Sequence, residues 1–182
     1  MKLPTERGRG SAVHGAGPAP WTVSAADVGM LLLRLAVGVI LAGHGAQKLF
    51  GWFGGPGLDA TAGGFAKLGY EPGLFFAGLA GASEFLGGLG LAVGLLTPLA
   101  AAASIGVMIN AMSVATDMSL WSAAGPAFAY PMVLAVAALT IAAVGPGRLS
   151  LDAPFPWRDG GWLPAAVALG LGVVAAVIVL AL

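Results

Sequence analysis

The sequence predicts an all-α fold: a polytopic membrane bundle of four core helices, with a fifth transmembrane helix at the C-terminus. Three observations carry that prediction. Only 9% of the 182 residues are charged and 58% are hydrophobic, whereas a soluble domain carries roughly 25% charged residues. The apolar residues gather in runs long enough to cross a bilayer, which takes about 20 residues per helix. Thirty glycines occur without a three-residue period, a usage that suits closely approaching membrane helices rather than a collagen-like repeat. Mean hydropathy is +0.92.

In chain order, residues 1–25 begin with positive charge but lack the apolar stretch of a signal peptide. Their Gly, Pro and Ala content predicts a disordered cytoplasmic tail, in which His14 is an incidental solvated side chain. The first span is expected over Asp27–Leu49. The glycine-rich stretch after it predicts a loop over Gly51–Pro72. Asp59 is expected to N-cap a short helix running to Leu68, with Ala62, Phe65 and Leu68 on one apolar face. That piece can lie on the membrane surface or dip in as a lid. The second span is expected over Leu74–Leu96 and the third over Pro98–Asp117. The link between them, Thr97-Pro98, is so short that the two helices must be antiparallel neighbours. Thr97 is expected to cap the third helix, and Pro98 suits its first turn. The fourth span is expected over Pro126–Gly145, started or kinked by Pro126 or Pro131. After a mixed-charge loop from Arg148 to Gly161, Trp157 and Trp162 suit the headgroup level. The fifth span, Trp162–Leu182, carries no ionisable group and reads as a packing or anchoring helix. Three regions follow: the tail, a four-helix domain over 26–152, and a linker with the last helix over 153–182.

The basic residues predict orientation. With the N-terminus in the cytoplasm, that side carries Lys2, Arg7, Arg9, Arg148 and Arg158, and the far side only Lys48 and Lys67, as the positive-inside tendency requires. A net charge of zero leaves no basic footprint for nucleic acid. The absence of cysteine excludes disulfides, thiol chemistry and iron–sulfur ligation in this chain.

Arg34 and Glu84 stand out because each sits in an apolar span. A charge there is costly and usually faces the bundle interior, paired or working. Counting about 1.5 Å per residue puts Arg34 roughly 10 Å deep and Glu84 near the midplane, a gap that a long arginine side chain can bridge. The expectation is an Arg34–Glu84 pair, with Asn110 of the third span hydrogen-bonding one of the two. Such a pair can fix helix register or act as a proton or quinone site. His44 and Lys48 form a second cluster that shares a broad face of the first helix with Arg34. His44 can donate to a quinone carbonyl or exchange protons, or simply bond loop carbonyls and hold the Gly51–Gly57 turn. Lys48 is expected to snorkel to the interface. The catalytic candidates are thus Glu84, Arg34 and His44, and the cofactor-binding candidates His44, Lys48 and Asn110. No metal site is read, since His44, Glu84 and Asp117 lack ligand spacing. One intramembrane histidine cannot make a bis-histidine haem site, and no dinucleotide fingerprint appears, so neither haem nor flavin is expected. Gly90 and Gly94 have the small-xxx-small spacing of close helix packing.

Several motifs occur in order: Arg34-Leu35, His44-Gly45 with Gln47-Lys48-Leu49, the glycines from Gly54 to Gly57, Phe65 and Gly69. Glu84 with Gly87-Gly88, Gly94 with Thr97-Pro98, and Gly145-Pro146-Gly147-Arg148 complete the set. Over about Val28 to Asp152 this series resembles the DoxX family of small bacterial membrane proteins. The resemblance implies a four-helix protein of the bacterial cytoplasmic membrane. It also implies a role as a membrane subunit or partner of a quinone-linked oxidoreductase, because some relatives are subunits of a thiosulfate:quinone oxidoreductase. Quinone is then the expected cofactor. The expected partners are the lipid bilayer, a soluble or membrane oxidoreductase subunit, and a second copy of the chain. The alternative function is a non-enzymatic scaffold or small-solute permease. Two stretches depart from the family pattern: Phe128-Ala129-Tyr130-Pro131 carries no carboxylate, and Ala115-Thr116-Asp117-Met118 carries no histidine.

Overall fold

The computed structural model describes residues 23–115, 120 and 128–182. Within them the chain is all helical: α1 (Ala25–Phe50), α2 (Gly57–Lys67), α3 (Gly73–Val93), α4 (Thr97–Ser113), α5 (Ala129–Val144) and α6 (Trp162–Ala181), with a short 3-10 turn at Trp52–Gly54. Three of these, α1, α3 and α6, are long and apolar enough to cross a membrane, and α4 and α5 are shorter apolar helices. The expected tail over residues 1–22, the expected end of the third span at Asp117 and the expected start of the fourth at Pro126 lie outside the described residues.

Ser24 opens α1 with a capping box: its hydroxyl accepts from the Asp27 N–H, while the Asp27 carboxylate accepts from the Ser24 N–H. Each of those helix-end donors would otherwise lack a partner. Two elements start differently from expectation. The helix after the glycine turn begins at Gly57, so Asp59 lies within its first turn and Pro56 holds the cap position. An acid there complements the positive end of the helix. The side chain that α2 buries is Thr61, whose hydroxyl donates to Gly57 O at 2.7 Å. At α4 the cap position is Leu96, not Thr97, and Pro98 occupies the first turn as expected. Pro131 falls in the first turn of α5, where a missing N–H costs nothing.

The densest packing joins α1 to α3. These helices run antiparallel with glycine on glycine: a methyl group on Gly38 would lie 2.5 Å from Gly88 O. Small residues let two backbones approach where lipid supplies no hydrophobic drive. In the same way α6 docks on α4 through Gly172 and Gly106. Leu41, Leu91, Ala101, Ile105, Leu134 and Ile141 fill the space between helices. Large apolar side chains such as Leu32, Val39, Leu86 and Val177 point outward and are more than half exposed. In water that surface would far exceed what a monomer exposes; in hydrocarbon it is already at home.

Candidate functional site

The bundle has two charged centres at opposite ends. The first is built around Arg34, which is 1% exposed. Its guanidinium donates to Pro146 O at 2.5 Å, Ala92 O at 3.1 Å and Leu149 O at 2.9 Å. It thereby ties α1 to the end of α3 and to the segment after α5. The same segment pairs with α3 through its backbone, Leu151 N to Val93 O and Asp152 N to Gly94 O. Asp152 is fully buried and supplies the cap that α4 lacks locally. Its carboxylate accepts from Leu96 N at 2.9 Å, and from Thr97 N and Thr97 Oγ1 at 2.7 Å each. It also lies within electrostatic reach of Arg34. Gly94 is required at the crossing: its φ is +70-like at 67°, and a methyl group there would lie 2.6 Å from Arg34 Nη1.

The second centre is the ion pair of Lys48 Nζ and Glu84 Oε2 at 2.5 Å, with the two side chains 26% and 6% exposed. This corrects the expected Arg34–Glu84 pair. Because Gly38 faces Gly88 and Gly45 faces Gly81, Arg34 lies level with Ala92, and Glu84 is eight residues further along α3. That is a separation of about 12 Å along the bundle, more than twice the expected gap. The first turns of α1 extend past the end of α3, so counting depth from the start of each apolar run misaligns the two helices. Lys48 is a correction as well: it turns inward rather than snorkelling. Side chains on a helix tilt toward its N-terminus, so a lysine near the C-terminal end of α1 reaches back to the level of Glu84.

Beside this ion pair lies a cavity of about 310 Å³ between α2, α3, α4 and α6. Lys48, Glu84 and Ser83 give it polar groups from α1 and α3, and Asn110 and Tyr70 add an amide and a phenol. The rest of the wall is apolar. Asn110 does not bond Glu84 or Arg34; its amide donates to Gly106 O at 3.0 Å, and Tyr70 Oη approaches its carbonyl at 3.5 Å. Phe65 and Phe76 flank the Tyr70 ring, each at 5.4 Å between centroids. The piece read as a surface helix, a lid or a packed connecting loop forms a wall: Phe65, Leu68 and Tyr70, from α2 and the turn after it, line the cavity.

The sequence candidates therefore separate. Lys48, Glu84 and Asn110 come together at the cavity. Arg34 belongs to the far end, and neither it nor His44 lines the cavity. His44 is exposed and meets Tyr130 of α5, with Nε2 and Oη 3.1 Å apart, instead of holding the glycine turn through loop carbonyls. It remains within electrostatic reach of Glu84. Sequence reasoning missed Asp152, Tyr70 and Tyr130. Asp152 left one readable sign: the α4 start, Leu96-Thr97-Pro98, has backbone donors that some acceptor must meet.

Residues 29–117, which hold most of α1, all of α2 to α4 and so most of the cavity, match the family model of DoxX. No curated protein matches the chain, and no solved structure does.

Proposed function

Taking this chain as a membrane protein of the DoxX family, we propose that it serves as a membrane subunit or partner of a quinone-linked oxidoreductase, with the Lys48–Glu84 cavity receiving the quinone ring. The observation that supports this reading is a part-buried ion pair opening onto a largely apolar cavity of about 310 Å³. Small-molecule sites are mostly apolar, with a few convergent polar groups, over about 300–1,000 Å³.

The residues suit such a ring. Lys48 has donor hydrogens beyond the one given to Glu84, and the Asn110 amide has a second N–H beyond the one given to Gly106. Both can meet a ring carbonyl. The aromatic group of Phe65, Tyr70 and Phe76 offers ring faces and edges. Bound quinone would supply electron-carrying chemistry coupled to proton uptake. Glu84 and Lys48 hold exchangeable protons beside it. The chain has no cysteine and only His44 among bundle histidines, so the electron donor belongs to a partner. The basic residues support an N-terminus in the cytoplasm, which puts the cavity in the outer half of the cytoplasmic membrane.

Native mass spectrometry of the chain purified from its own membranes tests the reading. Co-purified quinone together with an oxidoreductase subunit is the expected result. A chain that emerges without either, and whose melting temperature no quinone raises, would return the scaffold or neutral-solute permease.

A further inference from the structure

The cavity has an unusual fourth side. Both α3 and α6 pack against α4, yet they make no substantial contact with each other. Between them runs a groove floored by α4. Its floor is made of small or short side chains, Ala103, Val107 and Ala111, each only half-buried. Its rims are Leu79 on α3 and Ala175 on α6, both exposed. The groove is continuous with the chamber that holds Lys48, Glu84 and Asn110. In a bundle whose outward surface is apolar, a groove in that surface opens on hydrocarbon, not on water.

We propose that this groove is a lateral port for a ring ligand carrying an isoprenoid or alkyl tail, the ring at Lys48 and Asn110 and the tail lying between α3 and α6. The inference rests on the quinone reading for the identity of the ring and adds the tail and the route. The composition of the lining chooses the occupant. Polar groups come from Lys48, Tyr70, Ser83, Glu84 and Asn110, and the stretch of Leu79, Ala103, Val107 and Ala175 offers none, which suits a ligand with a polar head and an apolar tail. That stretch is floored by short side chains and opens on hydrocarbon, which suits a flexible apolar chain. The proposal also gives α6 a role beyond packing. This helix lies outside the matched residues 29–117 and still supplies Ala175, Ala176 and Val179 to the wall.

The experiment uses the full chain in nanodiscs, with a decyl-substituted benzoquinone and the same ring without a tail as probes. Ala175→Phe places an aromatic side chain at an exposed rim position on α6, a helix that carries none of Lys48, Glu84 and Asn110. It should weaken the tailed quinone roughly tenfold, the equivalent of about two methylenes leaving the groove, and leave the tail-less ring unchanged. Unchanged affinity for the tailed quinone, or equal loss for both, overturns the port. If the native chain binds neither probe, the quinone reading fails, and a second measurement decides the port separately. A benzophenone amino acid replacing Val107 is irradiated in the same nanodiscs. Adducts with phospholipid acyl chains uphold an opening to the bilayer, and adducts only within the chain refute it.

Discussion

The two charged centres share their ingredients and differ in their surroundings. At one end Arg34 is enclosed by three backbone carbonyls and a nearby buried carboxylate, and Asp152 spends its oxygens on the start of α4. At the other end Lys48 and Glu84 meet each other and then face open volume. A buried charge in a membrane span marks function by default. The comparison refines that rule: where neighbouring backbone uses up the charge, it holds the fold, and where space remains beside it, it is free to bind. The closed end ties together α1, α3, α4 and the segment after α5.

Removing the enclosed charge should have the largest effect. Arg34→Leu leaves three carbonyls without a donor and Asp152 without its cation, and breaking such a buried set typically costs about 3–5 kcal/mol. The expected outcome is a chain that melts far below the native protein in detergent or fails to accumulate in membranes. Arg34→Lys should recover little, because an ammonium cannot reach three carbonyls with the geometry of the planar fork. A stable Arg34→Leu chain would erase the contrast between the two ends.

Asp152 comes next. Asp152→Ala strips the acceptor from Leu96 N, Thr97 N and the Thr97 hydroxyl, and unmet buried donors cost about 1–3 kcal/mol each at most. A loss of about 2–4 kcal/mol is expected by thermal unfolding, with Asp152→Asn losing less because its amide oxygen still accepts. Quinone affinity measured at a temperature where the variant stays folded should not change. A selective loss of binding would show that the two ends are not separate.

Much of this was legible in the sequence, and the gaps have physical causes. Apolar runs gave the helices because a bilayer forces every backbone group into internal hydrogen bonds. Glycine and alanine announced close packing, and the Thr97-Pro98 link announced antiparallel neighbours. Pairing was harder. Glu84 and Arg34 have opposite signs and adjacent helices, yet register is set by where glycines interlock, at Gly38–Gly88 and Gly45–Gly81, and not by where hydropathy rises. Lys48 read as an interfacial residue because side-chain tilt along a helix does not appear in a hydropathy profile. Asp152 sits more than fifty residues from the helix it caps, and no local pattern links an aspartate after GPGRLSL to an uncapped helix start. The cavity itself is a property of two helices that barely meet, α3 and α6, and periodicity records only what each helix can bury.

At the open end, the comparison sharpens into a double substitution. Lys48→Met with Glu84→Leu removes both charges at once. Replacing a buried ion pair with apolar groups of similar volume is often close to neutral, so stability should stay within about 1 kcal/mol of the native chain. Each single substitution should cost more than the pair, since it strands the other charge. Glu84→Gln alone should keep the fold while impairing quinone-coupled activity with the partner. Thermal unfolding with and without the decyl benzoquinone measures both properties together. Retained ligand stabilisation in the double variant would detach the ion pair from binding.

The smallest effect belongs to the exposed contact between α1 and α5. Tyr130→Phe removes one hydroxyl, which meets His44 Nε2 at an exposed contact outside the buried core, and a single hydrogen bond is worth about 0.5–1.5 kcal/mol. Stability is therefore a weak probe of this pair, and proton exchange is the better one. His44 and Tyr130 both lie within electrostatic reach of Glu84, and they sit on the α1–α5 side while the groove lies between α3 and α6. If protons reach Glu84 by way of His44, Tyr130→Phe and His44→Gln should slow coupled turnover without altering affinity for tailed or tail-less quinone. Equal slowing and weakening would assign His44 to ligand binding, and no change in either would leave it a surface contact between two helices.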